Sequence, residues 1–420
     1  MTMKGTTHFG RFWLAAVAGA CATVIGFGFS GATAFDAAEA LASDLQAYTS
    51  GFVAGLEKGD AAEDPVTVIV QLEEQTGKFS AQSSDRVARH EALQSQIRTI
   101  AENVTSEARR ALPVGVSAQS AEQSGDDLQG VAESDSSSFR VDYDYYHAID
   151  GFAVTVPRGA YRQICSLPGV KNAFIARELE VPLDESSAEG EKPANQDALD
   201  MTATDSVSQR GDGQVIAVID SGVDVTHEAF GGDLDDSSVA WSESEARTRR
   251  DACLQGGKSA RYVSEKIPFA YDYGNDDDDV VPYNAGLSHG THVSAIAVAN
   301  AGEVRGTAPN AQLVVMKVAN DVSGGIPEAG LIAALDDAAV LSPDVINMSL
   351  GSVAGFSKEE SEVYNAALST LRAEGCTVCM SAGNNASSVY RGELFDDKPS
   401  ASNPDTGTIS SPASYLDPIA

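Results

Sequence analysis

The chain has 420 residues, of which 61 are acidic and 28 are basic, so its formal net charge at neutral pH is −33. Hydrophobic residues make up 43% and charged residues 21%, a composition typical of globular proteins that excludes disorder over the whole length. The acidic excess excludes nucleic acid as a partner, because phosphate binding requires clustered lysine and arginine. It leaves divalent cations open as ligands.

Residues 1–34 have the pattern of a secretory signal peptide. Lys4 and Arg11 precede an apolar run, and Ala32-Thr33-Ala34 offers a small-residue cleavage site. The alternative is a retained membrane anchor, but glycines interrupt the run and its length is near the minimum for a membrane span. We therefore expect an exported protein, either secreted or held at the cell surface.

Residues 35–61 form a polar, alanine-rich entry segment, and residues 62–182 are predicted to form a small domain. The predicted elements run strand, helix, strand, strand, helix, strand, at 66–72, 84–111, 140–147, 151–156, 157–167 and 171–181. This order is that of a ferredoxin-like α+β unit. Residues 183–199 are rich in serine and glutamate and are predicted to be an exposed linker.

Residues 200–420 have a different pattern, in which apolar runs alternate with helical periodicity. Strands are predicted at 214–220, 312–318, 344–349 and 376–381, and helices at 289–300, 327–341 and 357–374. Nearly continuous apolar strands separated by helices predict an α/β fold with a doubly wound parallel sheet. In such sheets functional residues gather at the carboxyl ends of the strands.

Four short motifs lie at or near these carboxyl ends. They are VIDSGVD at 218–224, SHGTHVS at 288–294, INMSLGS at 346–352 and MSAGNN at 380–385. Together and in this order they resemble the subtilase family of serine endopeptidases. The resemblance implies a subtilisin-like peptidase domain, present here in part, that acts on proteins or peptides. It also implies that the domain at 62–182 is a propeptide, and therefore a partner of the peptidase domain within the same chain.

A finer resemblance concerns the stretch FAYDY at 269–273 and its spacing to the histidine motif. Both are similar to the lactocepin-type, cell-envelope branch of the family. This branch implies attachment to the cell envelope through residues outside the 420.

The family resemblance assigns catalytic roles to three residues. His289 is the expected general base, because an imidazole titrates near neutral pH and can take and return a proton. Asp220 is expected to accept a hydrogen bond from that imidazole and so fix its tautomer. Asn384 is expected to donate its side-chain amide to the oxyanion that forms during the reaction.

The resemblance also assigns a substrate-binding role to Ser349, Leu350 and Gly351, whose backbone would pair with an extended peptide. Taken alone, each candidate also has an ordinary structural explanation. An aspartate at a strand end is often a cap, two adjacent asparagines often form a turn, and His289 with His292 could be a metal-binding pair. The shared order of the four motifs favours the catalytic interpretation.

The nucleophile of the family lies in a Gly-Thr-Ser-x-Ala-x-Pro block, which this sequence does not contain; residues 407–409 are Gly-Thr-Ile instead. We therefore expect the catalytic serine beyond residue 420 and expect the 420 residues alone to be inactive. A different hypothesis is a catalytically inactive pseudoprotease, or degenerate fragment, that binds peptides without cutting them.

The expected chemistry requires no cofactor. The aspartates Asp276–Asp279 are a candidate structural calcium site, with a solvated acidic loop as the alternative. Cys376 and Cys379 form a C-x-x-C pattern that could indicate a redox or metal protein, but their apolar surroundings favour two small core residues.

Overall fold

The structure is a computed structural model that describes residues 61–73, 84–111, 138–179, 203–253, 255, 259–282, 288–302, 304–351, 358–383 and 409–415. The predicted signal peptide, the predicted linker 183–199 and Asn384 lie outside these residues. No helix in the described ranges is long and apolar enough to cross a membrane. We call the described residues between 61 and 179 the N-terminal module and those between 203 and 415 the C-terminal module.

The N-terminal module is a four-stranded antiparallel sheet covered on one face by a long helix. Its strands, in the spatial order β2-β3-β1-β4, are β1 (Pro65–Leu72), β2 (Arg140–Tyr145), β3 (Gly151–Pro157) and β4 (Val170–Ile175). The helices are α1 (Ser84–Ala111) and the short α2 (Tyr161–Ile164). The predicted strand 171–181 is divided, because its last part forms a separate two-residue strand, β5 (Glu178–Leu179).

Both faces of the N-terminal sheet are buried, which explains the nearly continuous apolar sequence of β1. Val68 and Val70 face α1, where they share a core with Ile97. Ile69 points the other way and belongs to the main core of the C-terminal module. The alternation follows from the two-residue period of a strand. The sheet therefore acts as a layer between its own helix and the second module.

The C-terminal module has the predicted α/β class, a five-stranded parallel sheet in the order β11-β10-β6-β8-β7. The strands are β6 (Val215–Asp220), β7 (Phe269–Asp272), β8 (Gln312–Lys317), β10 (Val345–Met348) and β11 (Thr377–Met380). The helices are α3 (Glu243–Ala252), α4 (His289–Val298), α5 (Glu328–Leu341) and α6 (Lys358–Ala373). A further two-residue strand, β9 (Ile326–Pro327), pairs with β5 outside this sheet.

Helices cover both faces of this sheet, as expected for a doubly wound fold. Along β6, Ala217 and Ile219 lie in the core that includes α5 and α6, whereas Val218 lies in a second core with Val298 of α4. Edge strand β7 and helix α3 were not predicted. Helix α3 is almost entirely polar, but its capping box at Ser242 and Glu245 is a start signal that the sequence contains.

A carboxylate of the C-terminal module anchors the N-terminal module. Asp336, in the middle of α5, is buried, and its oxygens accept the backbone N–H groups of residues 146–149 at 2.7–3.4 Å. The hydroxyls of Tyr143 and Tyr145 donate to backbone carbonyls of the C-terminal module, at 2.7 and 2.9 Å. These contacts fix the N-terminal sheet against α5.

A buried histidine joins the helix and the sheet of the N-terminal module. His90 on α1 places Nδ1 3.1 Å from a carboxylate oxygen of Asp144 and Nε2 2.8 Å from one of Asp150. Both ring nitrogens must carry a proton to serve both carboxylates, so this geometry requires the imidazolium. Burial alone would lower the pKa of His90, but the hydrogen bonds and charges of the two aspartates outweigh burial and raise it.

The contribution of His90 to the thermal stability of the intact chain is therefore expected to fall as the pH rises above 6.5. The pKa of His90 is higher in the folded than in the unfolded chain. Its contribution to folding stability is therefore complete below the unfolded-state pKa and is lost as the pH rises through the folded-state pKa. Melting temperatures between pH 5.5 and 8.5 test this. His90→Gln should flatten the profile. His147→Gln is the matched control, since burial lowers the pKa of His147 and gives a slope of opposite sign. An unchanged slope in His90→Gln would contradict the assignment.

Candidate active site

Asp220 and His289, the two residues expected to form a catalytic pair, are hydrogen-bonded to each other. Asp220 is the last residue of β6 and is 2% exposed, while His289 is the first residue of α4 and its side chain is 17% exposed. Nδ1 of His289 lies 2.8 Å from Oδ1 of Asp220. An Nδ1–H donated to the carboxylate leaves the Nε2 lone pair able to accept a proton. The pair can therefore act as a general base held in one orientation.

Two glycines make this close approach of helix and strand possible. A Cβ on Gly290 would lie 2.3 Å from the carbonyl oxygen of Gly222 and 3.1 Å from Oδ1 of Asp220, so only glycine fits at this helix start. Gly222 itself has a φ of +117°, a conformation that other residues rarely adopt. Both glycines belong to the motifs identified in the sequence. The structure requires them for backbone geometry and for lack of space.

Two hydroxyls join the aspartate motif to the histidine motif. The N–H of Gly290 donates to Oγ of Ser221 at 3.0 Å, and the N–H of Asp224 donates to Oγ1 of Thr291 at 2.9 Å. Neither hydroxyl was predicted to have a role. The sequence indicates them only by their position next to Asp220 and His289 within the two motifs.

A buried cluster of charged side chains lies on the strands next to Asp220, and it was not predicted from the sequence. Lys317 is paired in register with Asp220 across β6 and β8. It is fully buried, and Nζ lies 2.8 Å from Asp272 and 2.6 Å from Asp321. Burial disfavours the charged ammonium, but hydrogen bonds to both carboxylates raise the pKa of Lys317 overall. The lysine therefore stays charged and joins the end of β7 to the loop that follows β8, at the carboxyl end of the sheet.

The acidic run Asp276–Asp279 makes mostly local contacts. Asp276 accepts the hydroxyl of Tyr271 at 2.6 Å, and Asp277 accepts the N–H of Asp279 at 2.8 Å. Over the described residues, no group of three or more histidine, cysteine, aspartate or glutamate side chains is arranged to hold a metal ion. Calcium binding here stays a prediction.

The other sequence-predicted positions lie at the same edge of the sheet. Ser349 is partly buried and its hydroxyl accepts the amide of Asn347 at 3.0 Å, whereas Leu350 is buried. Gly351 lies against a later segment, because an added Cβ would be 2.5 Å from the carbonyl oxygen of Ser411. The stretch preceding Asn384 continues from the neighbouring strand β11, but Asn384 itself is outside the described residues.

The remaining candidates are placed as follows. His292 is exposed on α4. Cys376 is buried and Cys379 is partly buried, and both are free thiols in the described chain. Among the described residues, neither the His289–His292 pair nor the Cys376–Cys379 pair belongs to a group that could hold a metal ion.

The sequence model of the Subtilase family, Peptidase_S8, matches residues 211–420. The chain belongs to the subtilase family. This confirms the family inferred from the four motifs.

Several curated proteins are similar to this subtilase. The PII-type proteinase of Lactococcus lactis subsp. cremoris is 32% identical over 255 residues, which cover 58% of this chain and 12% of the relative. The C5a peptidase of Streptococcus pyogenes serotype M3 is 32% identical over 213 residues, 49% of this chain and 17% of the relative. The chain thus spans a small part of the length of the relatives it matches.

Among solved structures, the epidermin leader peptide processing serine protease of Staphylococcus aureus is 14% identical. That match covers 77% of this chain and 61% of the other, with a TM-score of 0.42.

Proposed function

We propose that this subtilase is the precursor of a secreted or cell-surface serine endopeptidase that hydrolyses peptide bonds in proteins. The observation that carries the proposal is the 2.8 Å contact between Asp220 and His289 at the carboxyl end of a parallel sheet. The attacking serine would come from outside the 420 residues, since they contain no Gly-Thr-Ser-x-Ala-x-Pro block.

In the proposed mechanism His289 takes the proton of the serine hydroxyl at Nε2 as the oxygen attacks the peptide carbonyl. Asp220 holds the imidazole in the required tautomer and stabilises the imidazolium that forms. Asn384 donates its amide to the oxyanion of the tetrahedral intermediate, an interaction of a kind worth about 3–4 kcal/mol in subtilisin. His289 then gives its proton to the leaving amine. In the second half it takes a proton from the attacking water and gives it to the serine oxygen as the acyl group leaves.

The N-terminal module would act as the inhibitory propeptide of this enzyme. Glu178 and Leu179 in β5 pair antiparallel with Pro327 and Ile326 in β9, so the module adds a strand to the C-terminal module. Strand addition of this kind is a common way for a protein to bind an extended peptide. Leu179, 4% exposed, is buried in the main core of the C-terminal module. The tail would therefore occupy a peptide-binding edge until residues 183–199 are cut.

The proposal is tested by expressing the complete reading frame and treating it with a fluorophosphonate probe, which labels activated serines. We expect one labelled serine and release of an N-terminal fragment that ends within 183–199, both measured by mass spectrometry. A protein that binds peptides but is neither labelled nor cut would instead be a pseudoprotease. The missing serine block is the observation that favours that alternative.

A further inference from the structure

The chain just before β5 continues the pairing between the modules. The N–H of Arg177 donates to a carboxylate oxygen of Glu328 at 2.9 Å, and the N–H of Glu328 donates to the carbonyl oxygen of Arg177 at 3.1 Å. The guanidinium of Arg177 donates to a carboxylate oxygen of Glu360 at 2.6 Å. The side chain of Arg177 thus binds Glu360, its backbone N–H binds Glu328, and the charges of both glutamates act on the guanidinium.

These two glutamates are buried next to each other. Glu328 begins α5 and is 1% exposed, while Glu360 lies in the first turn of α6 and is 4% exposed. Burial, and then the charge of Glu360, raise the pKa of Glu328 to about 7. Two buried carboxylates are costly unless a cation accompanies them. The pair is therefore built for a cation, and Tyr415 holds Glu360 in place by donating its hydroxyl at 2.7 Å.

Arg177 meets this requirement in the intact chain. Burial opposes its charge, but the carboxylates of Glu360 and Glu328 more than compensate and raise the pKa of the guanidinium. Its side chain is nevertheless partly exposed. The guanidinium thus comes from the N-terminal module, whereas both carboxylates belong to helices of the C-terminal module.

The spacing along the bound strand adds a second element of recognition. Leu179 follows Arg177 by two residues, a separation that puts side chains on the same side of an extended chain. Leu179 packs in an apolar core that contains Ile326, whereas Glu178 between them is exposed. The edge therefore accommodates a segment with a cationic side chain, then a residue whose side chain is exposed, and then an apolar side chain.

We propose that after the N-terminal module leaves, Glu328 and Glu360 bind an arginine or lysine side chain of the substrate. This residue lies two positions before the apolar side chain that replaces Leu179. The inference rests on the proposed function, because it requires that the module be released. A planar guanidinium can donate two parallel hydrogen bonds to a carboxylate, so arginine is preferred over lysine. The alternative is that the glutamates serve only to hold the N-terminal module.

Peptide binding to the processed, complete protein tests this inference independently of catalysis. Fluorescent peptides with the sequence of residues 172–186 carry arginine, lysine or glutamine at the position of Arg177, and their Kd values are measured by anisotropy. We expect the arginine peptide to bind at least tenfold more tightly than the glutamine peptide, with lysine between them. Equal affinities would overturn the inference. It would also be overturned if none of the three peptides binds because the N-terminal module remains in place.

Variants locate the effect. Glu360→Gln and Glu328→Gln are expected to reduce the tenfold preference for arginine to less than threefold. Glu359→Gln, which removes an exposed carboxylate from the same turn of α6, is the matched control and should keep the preference. If Glu360→Gln retains it, the site is elsewhere. A protein that shows the preference but is not labelled by fluorophosphonate would refute the enzymatic proposal and leave the binding site intact.

Discussion

Alanine at position 289 is expected to lower the kcat of the complete protein about 10⁶-fold, the scale seen when the triad histidine of subtilisin is removed. His289 is the group that contacts Asp220, and without it the attacking hydroxyl would have no base to take its proton. The same change should abolish self-cleavage and leave the N-terminal module attached. Initial rates on a quenched fluorescent peptide and gel analysis of processing measure both effects.

Two further variants separate the base from its surroundings. His292→Ala removes an exposed imidazole from the same helix and should leave kcat within twofold. Asp220→Asn keeps the shape of the side chain but favours the wrong tautomer of His289, and a loss of about 10⁴-fold is expected by analogy with other triads. Peptidase activity that persists in His289→Ala would rule out the proposed mechanism.

The resemblance of the four motifs to the subtilase family implied that Asp220 and His289 would meet. A general rule gave only their place at one edge of the sheet, since the ends of parallel strands and the helices that follow them lie there. The strands β6, β8, β10 and β11 were predictable for a related reason. Strands β6 and β8 are buried on both faces and therefore leave continuous apolar runs in the sequence, whereas β10 and β11 are fully buried on one face and only partly on the other.

Contacts between distant segments could not be predicted in the same way. Lys317 looked like the polar end of an apolar strand, and only the folded sheet shows that it pairs with Asp272 and Asp321. Arg177 and Glu360 are 183 residues apart. No local periodicity records such a pair, because its geometry depends on how two modules pack. The division of the predicted strand 171–181 has the same origin, since β5 leaves the N-terminal sheet to pair with β9.

The second large effect concerns Asp336, whose replacement by asparagine is expected to weaken docking of the N-terminal module by about 3 kcal/mol. Asparagine keeps the volume of the side chain, but its NH₂ group would face backbone N–H donors that now point at a carboxylate. Hydrogen bonds to a charged acceptor contribute about 1.5–3 kcal/mol each, and donors left unpaired in a buried site add a further penalty. The position was not predicted, although two adjacent aspartates within an apolar helix are an unusual feature of the sequence.

Hydrogen exchange at the amides of residues 146–149 measures this effect directly. A loss of about 3 kcal/mol corresponds to exchange roughly 100-fold faster at these amides, if they exchange when the module undocks. Asp337→Asn is the matched control, because Asp337 is the next residue on α5 and equally buried, but it accepts from Tyr273 and Gln255 within the C-terminal module. That variant should lower the melting temperature without selectively exposing residues 146–149. If both variants accelerate exchange there equally, Asp336 stabilises the helix and does not anchor the module.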